Sequence, residues 1–195
     1  ILFDLGRVLV ELDGPPIKNH WLAKPIAELE SWQRWGCSAS VKAFESGELT
    51  PAAFGEQLVA EQSLVIPPEQ FLVEFTAWPK GLFPGVKELL NALAPRYQLA
   101  YFSNTSALHV PQLNHEMGLA QYFAHRFASC EIGFFKPDPE GFEYILSELK
   151  VAPETILFLD DSPANVAAAR TCGLVAEPVV GLAEVQRALA KHSLI

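Results

Sequence analysis

The stretch ILFDLGRVLV, residues 1–10, places one acid, Asp4, where a short apolar run passes into a glycine-containing turn. A matching stretch lies near the other end of the chain. There ILFLDDSPA, residues 156–164, carries Asp160 and Asp161 after another apolar run of strand length. In α/β proteins the carboxyl ends of parallel strands open onto the ligand crevice. We therefore predict that these three acids meet at one site.

Three acids at one site require a positive partner. Two carboxylates about 4 Å apart repel each other by roughly 4 kcal/mol at an effective dielectric constant of about 20. A hard divalent cation relieves this repulsion, and Mg²⁺ is the ion that we expect. Taken singly, Asp160 also suits a helix cap and Asp4 a salt bridge. The polar segments between the two ends of the chain favour the shared site.

Length and charge bound the class of protein. A chain of 195 residues, half of them apolar, can bury a core as one domain or as a domain with a sizeable insert. Its 14 basic residues stand against 23 acidic ones, which gives a formal charge of −9. This balance disfavours an extended surface for nucleic acid or for an anionic membrane. We expect a small-molecule partner, and any anionic ligand must be held locally.

The apolar runs and the cysteines also limit the possibilities. Residues 1–3 and 156–159 fall far short of the roughly 20 residues that span a bilayer, and no basic leader precedes them. We therefore expect a soluble, cytoplasmic protein that is a monomer or a homodimer. Cys37, Cys130 and Cys172 are widely separated and show no CxxC spacing. This pattern predicts neither a disulfide framework nor a zinc site.

Short apolar runs alternate with helical patterns along most of the chain. The strand candidates are residues 1–5, 98–102, 126–129, 156–159 and 175–180. Helices are predicted after Pro84-Gly85, Asp138-Pro139 and Ser162-Pro163, where a turn or a capping residue precedes the helical pattern. The first of these helices has one apolar face, formed by Val86, Leu89, Leu90 and Leu93. The alternation predicts an α/β fold with a mainly parallel sheet covered on both faces.

One long segment interrupts the alternation. Between Asp13 and Gly81 no convincing strand is present, and several helical stretches are separated by glycine and proline. One helix is predicted to begin at Thr50-Pro51, and another covers residues 69–77. We predict an all-helical insert that lies as a lid above the carboxyl ends of the strands.

Two segments between the acids carry further polar chemistry. Residues 101–106, YFSNTS, supply the hydroxyls of Ser103 and Thr105 near a helix start, which suits an anion cradle or plain helix capping. In GFFKPDPEGF, Lys136 follows an apolar pair and precedes a proline, so we expect it to point inward. A lysine near three acids neutralises a phosphate and holds an aspartate anionic, whereas a loop lysine beside an acid is the alternative.

The order Asp4, Ser103, Lys136, Asp160-Asp161 resembles the four sequence motifs of the haloacid dehalogenase-like (HAD) hydrolase superfamily over essentially the whole chain. The inserted helices resemble the C1 cap subclass. Residues 44–58, FESGELTPAAFGEQL, are similar to the cap of bacterial sugar-phosphate phosphatases of the α-D-glucose-1-phosphate phosphatase type. The resemblance implies a Rossmann-like, three-layer α/β core of residues 1–13 and 82–195, and a small helical cap of residues 14–81.

The resemblance also implies roles for single residues. Asp4 would attack phosphorus and form an aspartyl-phosphate, which water then hydrolyses. Ser103 and Lys136 would hold the phosphoryl group, and the backbone N–H of Asn104 would assist them.

By the same resemblance, Mg²⁺ would be bound by the Asp4 carboxylate, the backbone carbonyl of Gly6 and Asp160. Asp161 would hold metal-bound water or Lys136. Asn165 either supports this loop or is an ordinary polar residue in the first turn of a helix.

Gly6 departs from the pattern, because most phosphatases of the family carry a second aspartate there. That residue protonates the leaving group and later activates water. General acid–base help is worth about 10² to 10⁴ in rate, whereas accelerations for phosphate monoesters reach about 10²¹. We therefore predict a working but slow Mg²⁺-dependent phosphatase that acts on a small phosphorylated metabolite, either a sugar phosphate or another substrate whose leaving group departs easily.

Four further side chains have two interpretations each. Arg7 either offers positive charge to a phosphate or sugar oxygen, or pairs with a surface acid. Trp21, Trp32 and Trp35 lie in the insert, where indole rings either stack on a sugar or pack a small helical cap.

Two other classes of function stay open. A metal-free dehalogenase of this superfamily also lacks the second aspartate of the first motif, but it has no need of an acid pair such as Asp160-Asp161. A catalytically impaired protein that senses a phosphorylated metabolite would be explained by Gly6 alone, and it would form no aspartyl-phosphate at Asp4.

Overall fold

The computed structural model describes residues 1–195 as seven strands and nine α-helices. The strands are β1 Leu2–Phe3, β2 Val10–Leu12, β3 Pro79–Leu82, β4 Ala100–Ser103, β5 His125–Ala128, β6 Leu157–Asp160 and β7 Val175–Pro178. The helices are α1 Glu28–Gly36, α2 Ala39–Glu45, α3 Pro51–Glu61, α4 Pro68–Thr76, α5 Val86–Leu93, α6 Ser129–Ile132, α7 Pro139–Leu149, α8 Pro163–Thr171 and α9 Gly181–Lys191. Each of these helices is too short or too polar to cross a membrane.

Five strands form one parallel sheet in the order β5-β4-β1-β6-β7. The first strand of the chain lies at the centre, where Leu2 is aligned with Ala100 on one side and Phe158 on the other. The predicted α/β fold with a parallel sheet is confirmed. Because neighbouring strands run in the same direction, the residues that follow β1, β4 and β6 emerge at the same edge.

Helices cover both faces of this sheet and create three layers. Side chains alternate between the faces along each strand, so Phe3 packs with α5 and α9, and Leu2 packs with α7 and α8. The predicted apolar face of α5 is buried at all four positions. Burying both faces of the sheet explains why the three central strands, β1, β4 and β6, are apolar up to their last residues, whereas the edge strands β5 and β7 contain charged residues.

Helices α1 to α4 form the insert, which has a hydrophobic cluster of its own. Phe44 of α2 stacks on Phe54 of α3 with ring centroids 4.1 Å apart. Side-chain oxygens cap two of these helices, since Ser38 accepts from the backbone N–H of Val41 and Thr50 accepts from that of Ala53. The insert therefore packs as a separate layer above the sheet. The division into residues 1–13 with 82–195 and residues 14–81 stays a prediction.

The prediction that no strand lies between Asp13 and Gly81 is wrong at the end of that segment. Strand β3 begins at Pro79 and pairs antiparallel with β2, with Val10 opposite Leu82. The sequence of β3, PKGL, has the proline and glycine of a turn, and its partner is far away in the chain. Proline is tolerated at the first residue of a strand, so the pairing forms despite the poor local propensity.

Hydrogen bonds attach the insert to the core. The His109 imidazole lies 2.8 Å from the carbonyl oxygen of Phe75, and the Gln112 amide donates to the carbonyl oxygen of Thr76 at 2.9 Å. Because a carbonyl oxygen only accepts, Nε2 of His109 carries the proton. Burial lowers the pKa of His109 to about 4, although the bond to Phe75 acts in the opposite direction. The imidazole is therefore neutral at pH 7.

We expect His109 to make the free energy of unfolding pH-dependent. The pKa of His109 is lower in the folded chain than in the unfolded chain, so its contribution is complete above the ordinary imidazole pKa of 6.5 and is lost as pH falls through about 4. The loss amounts to about 3 kcal/mol, at about 1.4 kcal/mol per pKa unit. Urea unfolding at pH 7 and pH 4 should show a smaller pH effect in His109→Gln than in the exposed control His115→Gln. Equal pH effects in the two variants would contradict this assignment.

Candidate active site

Polar side chains gather where three parallel strands end. Asp4 follows β1 directly, Ser103 is the last residue of β4, and Asp160 is the last residue of β6. Lys136 reaches the same place from the loop between α6 and α7. The structure therefore brings together the acids from the two ends of the chain, as the sequence predicts.

The Lys136 ammonium group lies between the two acids. It donates to Oδ1 of Asp4 at 2.7 Å, to Oδ2 of Asp160 at 2.6 Å and to the carbonyl oxygen of Phe102 at 2.8 Å. The lysine side chain has no exposed surface. All three ammonium protons are thus used, and the prediction that Lys136 points inward is confirmed.

The loop that carries Lys136 is fixed by Asn104. The Asn104 side-chain amide donates to the carbonyl oxygen of Lys136 at 2.8 Å, and its oxygen accepts from the Lys136 backbone N–H at 2.8 Å. The ammonium also lies 5.3 Å and 5.4 Å from the ring centroids of Phe102 and Phe158. Sequence reasoning assigned Asn104 only a backbone contact with phosphate, which stays a prediction. The structure adds a positioning role for its side chain.

Burial and neighbouring charges shift the pKa values of the pair. Burial raises the pKa of Asp4 to about 7, with Lys136 acting against the shift and the negative charges of Asp160 and Asp161 adding to it. Burial alone would lower the pKa of Lys136, but Asp160 and Asp4 outweigh burial and raise it. One ammonium group therefore serves more than one nearby carboxylate. The net negative charge of the site therefore favours binding of a further cation.

The two adjacent acids, Asp160 and Asp161, have different surroundings. Asp160 is fully buried and accepts four hydrogen bonds, one from Lys136, one from the backbone N–H of Ser162 and two from the Asn165 amide. Both oxygens of Asp160 thus accept hydrogen bonds, with the two Asn165 contacts made by one nitrogen, and the predicted binding of Mg²⁺ by Asp160 stays a prediction. Of the two roles predicted for Asp161, pairing with Lys136 is wrong, because Asp160 makes that contact.

Asp161 instead faces the cavity and pairs with Arg7. Its Oδ2 lies 2.7 Å from Nη1 of Arg7, while its other oxygen has no side-chain partner. Burial raises the pKa of Asp161, and Arg7 acts against this shift. Arg7 also lies over the Trp32 ring, 5.0 Å from its centroid. The acid that Arg7 meets is thus part of the site and not a surface acid.

Two hydroxyl groups near the strand ends remain free. Ser103 and Thr105 are about 95% buried and line the cavity, yet neither hydroxyl bonds to another protein group. The Ser129 hydroxyl accepts a hydrogen bond from the backbone N–H of Thr105 and donates one to the Thr105 carbonyl oxygen. Buried polar groups are normally hydrogen-bonded, so these two hydroxyls are available for a ligand.

A cavity of about 580 Å³ opens between the core and the insert. The core lines it with Asp4 and Lys136, and the insert lines it with Trp32 and Trp35. Trp21 is absent from the lining and packs on Phe71 at 5.3 Å between ring centroids. Of the three tryptophans that the sequence analysis proposed for stacking on a sugar, only Trp32 and Trp35 can therefore contact a ligand.

Glu45 also lines the cavity, and sequence reasoning missed it. It belongs to α2 and is only 5% exposed. The signal was present in the sequence, because Glu45 follows Val41 and Phe44 at helical spacing on the buried face of α2. An acid on such a face needs an explanation, since unpaired glutamate is rarely buried.

The donors at the cavity fit a hard divalent cation. The carbonyl oxygen of Gly6 accepts no hydrogen bond, Oδ1 of Asp4 accepts only one and keeps a lone pair, and Asp161 has one oxygen without a side-chain partner. Oxygen donors of this kind suit Mg²⁺, which usually keeps several water ligands. No group of three or more His, Cys, Asp or Glu side chains is arranged to hold a metal alone. A backbone carbonyl and water would therefore complete the set.

Comparison with known proteins identifies a family and relatives. A family model described as haloacid dehalogenase-like hydrolase matches residues 14–173. The chain is 30% identical over 185 residues to the phosphoglycolate phosphatase of Pseudomonas savastanoi pv. phaseolicola, and the alignment covers 89% of this chain. The chain spans 66% of that relative's length, and as little as 13% of the length of other curated relatives that it matches.

Solved structures share the fold. A HAD family enzyme from Bacteroides thetaiotaomicron, in complex with magnesium and inorganic phosphate, has a TM-score of 0.72 and 22% identity, with 91% of each chain covered. L-2-haloacid dehalogenase from Xanthobacter autotrophicus has a TM-score of 0.65 and 21% identity, with 100% of this chain and 83% of that chain covered. At these identities the two likenesses establish the fold, and the fold alone does not select the reaction.

Proposed function

Because the chain belongs to the haloacid dehalogenase-like hydrolase family, we propose that it is a Mg²⁺-dependent phosphatase for a small phosphorylated metabolite of the sugar-phosphate class. One observation carries the proposal. Asp4 directly follows the central strand and lies beside the buried ammonium of Lys136. It faces a cavity that the unbonded hydroxyls of Ser103 and Thr105 also line. The likeness to a phosphoglycolate phosphatase supports hydrolysis of a phosphate monoester.

Asp4 is the nucleophile in this reaction. Lys136 holds Oδ1, and Oδ2 is free to attack phosphorus. A bond forms between Oδ2 and phosphorus while the bond from phosphorus to the leaving-group oxygen breaks. Water then attacks the same phosphorus and returns Asp4 as a carboxylate. Ser103 and the Asn104 backbone N–H hold the phosphoryl oxygens in both steps, and the Lys136 ammonium supplies a positive charge beside them.

The residues that would hold Mg²⁺ are Asp4, Gly6 through its carbonyl oxygen, and Asp161. Asp160, the further acid predicted to bind Mg²⁺, fixes Lys136, and both of its oxygens accept hydrogen bonds. When bound, Mg²⁺ neutralises charge that develops on the transferring phosphoryl group. Arg7 keeps Asp161 oriented and adds a positive charge at the cavity wall.

The shape of the cavity supports a substrate of metabolite size. Its volume of about 580 Å³ lies within the range of roughly 300 to 1,000 Å³ that is typical of small-molecule sites. Trp32 and Trp35 offer apolar faces to a sugar ring, and Arg7 beside Trp32 offers hydrogen-bond donors to its hydroxyls. The insert thus supplies selectivity while the core supplies the reacting groups.

We expect phosphate release to require a divalent cation. A screen of phosphorylated metabolites with Mg²⁺ should yield at least one substrate, and EDTA should lower its turnover by about 100-fold or more, because the metal supplies several kcal/mol of charge stabilisation. An excess of Mg²⁺ over EDTA should restore turnover. Turnover that is insensitive to EDTA would overturn the metal dependence.

A metal-free dehalogenase is the second candidate, because Gly6 leaves no acid two residues after the nucleophile and the Xanthobacter dehalogenase shares the fold. The same assay separates the two reactions. Chloride release from 2-chloropropionate that persists in EDTA, without any phosphate release, would establish dehalogenation. A protein that binds phosphate without catalysis would release neither phosphate nor chloride. BeF₃⁻ would then form no analogue of the aspartyl-phosphate at Asp4.

A further inference from the structure

No carboxylic acid lies beside the nucleophile to protonate a leaving group, and the Lys136 ammonium is already shared by Asp4, Asp160 and a backbone carbonyl. Gly6 has no side chain, and Arg7 is held by Asp161. The alcohol part of a phosphate ester is a poor leaving group when it departs as an alkoxide. A phosphatase for such esters therefore gains about 10² to 10⁴ in rate from a general acid. If Asp4 transfers the phosphoryl group of a metabolite, the proton must come from another residue that lines the cavity.

Glu45 is the cavity-lining acid that has no partner. Three acids line the cavity, and two of them, Asp4 and Asp161, are paired with Lys136 and Arg7. Glu45 has no hydrogen bond and no ion pair with any residue, although its exposed fraction is only 5%. Burying an unpaired carboxylate is costly, so the side chain is retained in spite of its effect on stability.

The insert is held so that Glu45 stays over the core. Lys42 of the same helix forms a 2.7 Å ion pair with Asp138 of the core. Just beyond the helix, a Cβ atom at Gly47 would lie 2.5 Å from the carbonyl oxygen of Cys130. The close approach of Gly47 to Cys130, rather than the half-exposed ion pair, therefore sets the distance between α2 and the core.

We propose that Glu45 is the general acid and base of this enzyme, supplied by the insert in place of the acid that is missing at Gly6. The proposal rests on the phosphatase function proposed above. Helix α2 then lines the cavity and also supplies a catalytic residue that contacts the leaving group.

The proton balance is complete. The protonated Glu45 carboxyl gives its proton to the ester oxygen as the bond from that oxygen to phosphorus breaks, so the product leaves as a neutral alcohol. The Glu45 carboxylate then takes a proton from the water that attacks phosphorus. The bond from phosphorus to Asp4 breaks, inorganic phosphate is released, and Glu45 is protonated again.

The charge state of Glu45 agrees with this role. Burial raises its pKa to about 8, the negative charge of Asp4 acts in the same direction, and Lys136 acts against them. Glu45 therefore carries a proton at neutral pH, as the first step requires.

The test compares leaving groups in Glu45→Gln and in the control Glu48→Gln, which changes an exposed glutamate of the same segment. For the best alkyl ester from the screen, kcat/KM of Glu45→Gln should fall by about 10² to 10³, the range of a lost general acid. For p-nitrophenyl phosphate, whose leaving group needs no proton, the fall should be at least tenfold smaller. Glu48→Gln should keep the wild-type ratio between the two esters.

A second variant separates a chemical role from a structural one. A Cβ atom at Gly6 would have only one neighbour, Leu12 Cδ1 at 3.5 Å, so Gly6→Asp is sterically tolerated. Added to Glu45→Gln, it should restore kcat/KM for the alkyl ester at least tenfold, by returning an acid beside Asp4.

Each outcome decides a definite point. Equal losses for both esters, or no loss, would overturn the role of Glu45 while leaving the phosphatase function intact. Absence of phosphate release by the wild-type chain with Mg²⁺ would overturn the phosphatase function, and the role of Glu45 with it. A selective loss that Gly6→Asp repairs would support both.

Discussion

Asp4→Asn should lower phosphate release by about 10⁴-fold or more, because loss of a covalent nucleophile removes the reaction path itself. The change is isosteric, and Lys136 keeps its contacts with Asp160 and the carbonyl oxygen of Phe102. The fold should therefore survive. The primary measurement is steady-state turnover of the best ester with Mg²⁺. The second is the formation of a BeF₃⁻ analogue of the aspartyl-phosphate at Asp4 in the wild-type chain.

Asp13→Asn is the matched control for Asp4→Asn. Asp13 is another aspartate of the N-terminal segment, but its side chain is 62% exposed and meets only surface lysines. Its turnover should stay within about twofold of wild type, since surface ion pairs contribute little. Turnover in Asp4→Asn that stays as high as in Asp13→Asn would exclude covalent catalysis by Asp4.

Lys136→Met should be the most destabilising of the substitutions considered. The ammonium neutralises Asp4 and Asp160, and its removal leaves two buried acids without a positive partner. Breaking a buried pair from one side typically costs about 3 to 5 kcal/mol of unfolding free energy. Turnover should be lost as well, because Lys136 also supplies a positive charge beside the phosphoryl group in the proposed reaction.

The ion pair of Lys42 with Asp138 offers the control for Lys136→Met. It has the same 2.7 Å length as the pair of Lys136 with Asp4, but both of its side chains are roughly half exposed. Lys42→Met should therefore change the unfolding free energy by less than about 1 kcal/mol. Urea unfolding of both variants without metal makes the comparison. Similar losses in the two would show that Lys136 does not neutralise the site.

Added Mg²⁺ gives a further readout for Lys136→Met. A divalent cation held by the carboxylates of Asp4 and Asp161 would replace part of the missing positive charge. The stabilisation by Mg²⁺ should then be larger in Lys136→Met than in Lys42→Met. This comparison measures binding without any need for turnover.

Much of the core was predictable from local sequence. The runs that became β1 and β6 are apolar at every position and end in acids, and parallel pairing of those strands places Asp4 near Asp160. The inward direction of Lys136 also followed from its apolar neighbours and the proline after it. These predictions succeeded because strand and helix patterns depend on residues that are close in the chain.

The remaining features depend on contacts between distant segments. Strand β3 forms only because β2 lies beside it, and its own sequence favours a turn. Asp160 and Asp161 are neighbours with the same chemistry, so the sequence could not show which one meets Lys136. The alternation of strand side chains sends Asp160 into the interior and leaves Asp161 at the cavity.

The α/β class, the helical insert and the set of acids around one lysine were predictable from the sequence, because periodicity and strand-end position are local properties. The different contacts of Asp160 and Asp161, and the position of Glu45 in the same cavity as Asp4, became visible only in the folded chain. The contacts of Asp160 and Asp161 follow from side-chain alternation at the end of β6, whereas the position of Glu45 depends on how the insert packs on the core. That packing arises from contacts such as Gly47 against Cys130 and His109 against Phe75, which no local pattern encodes.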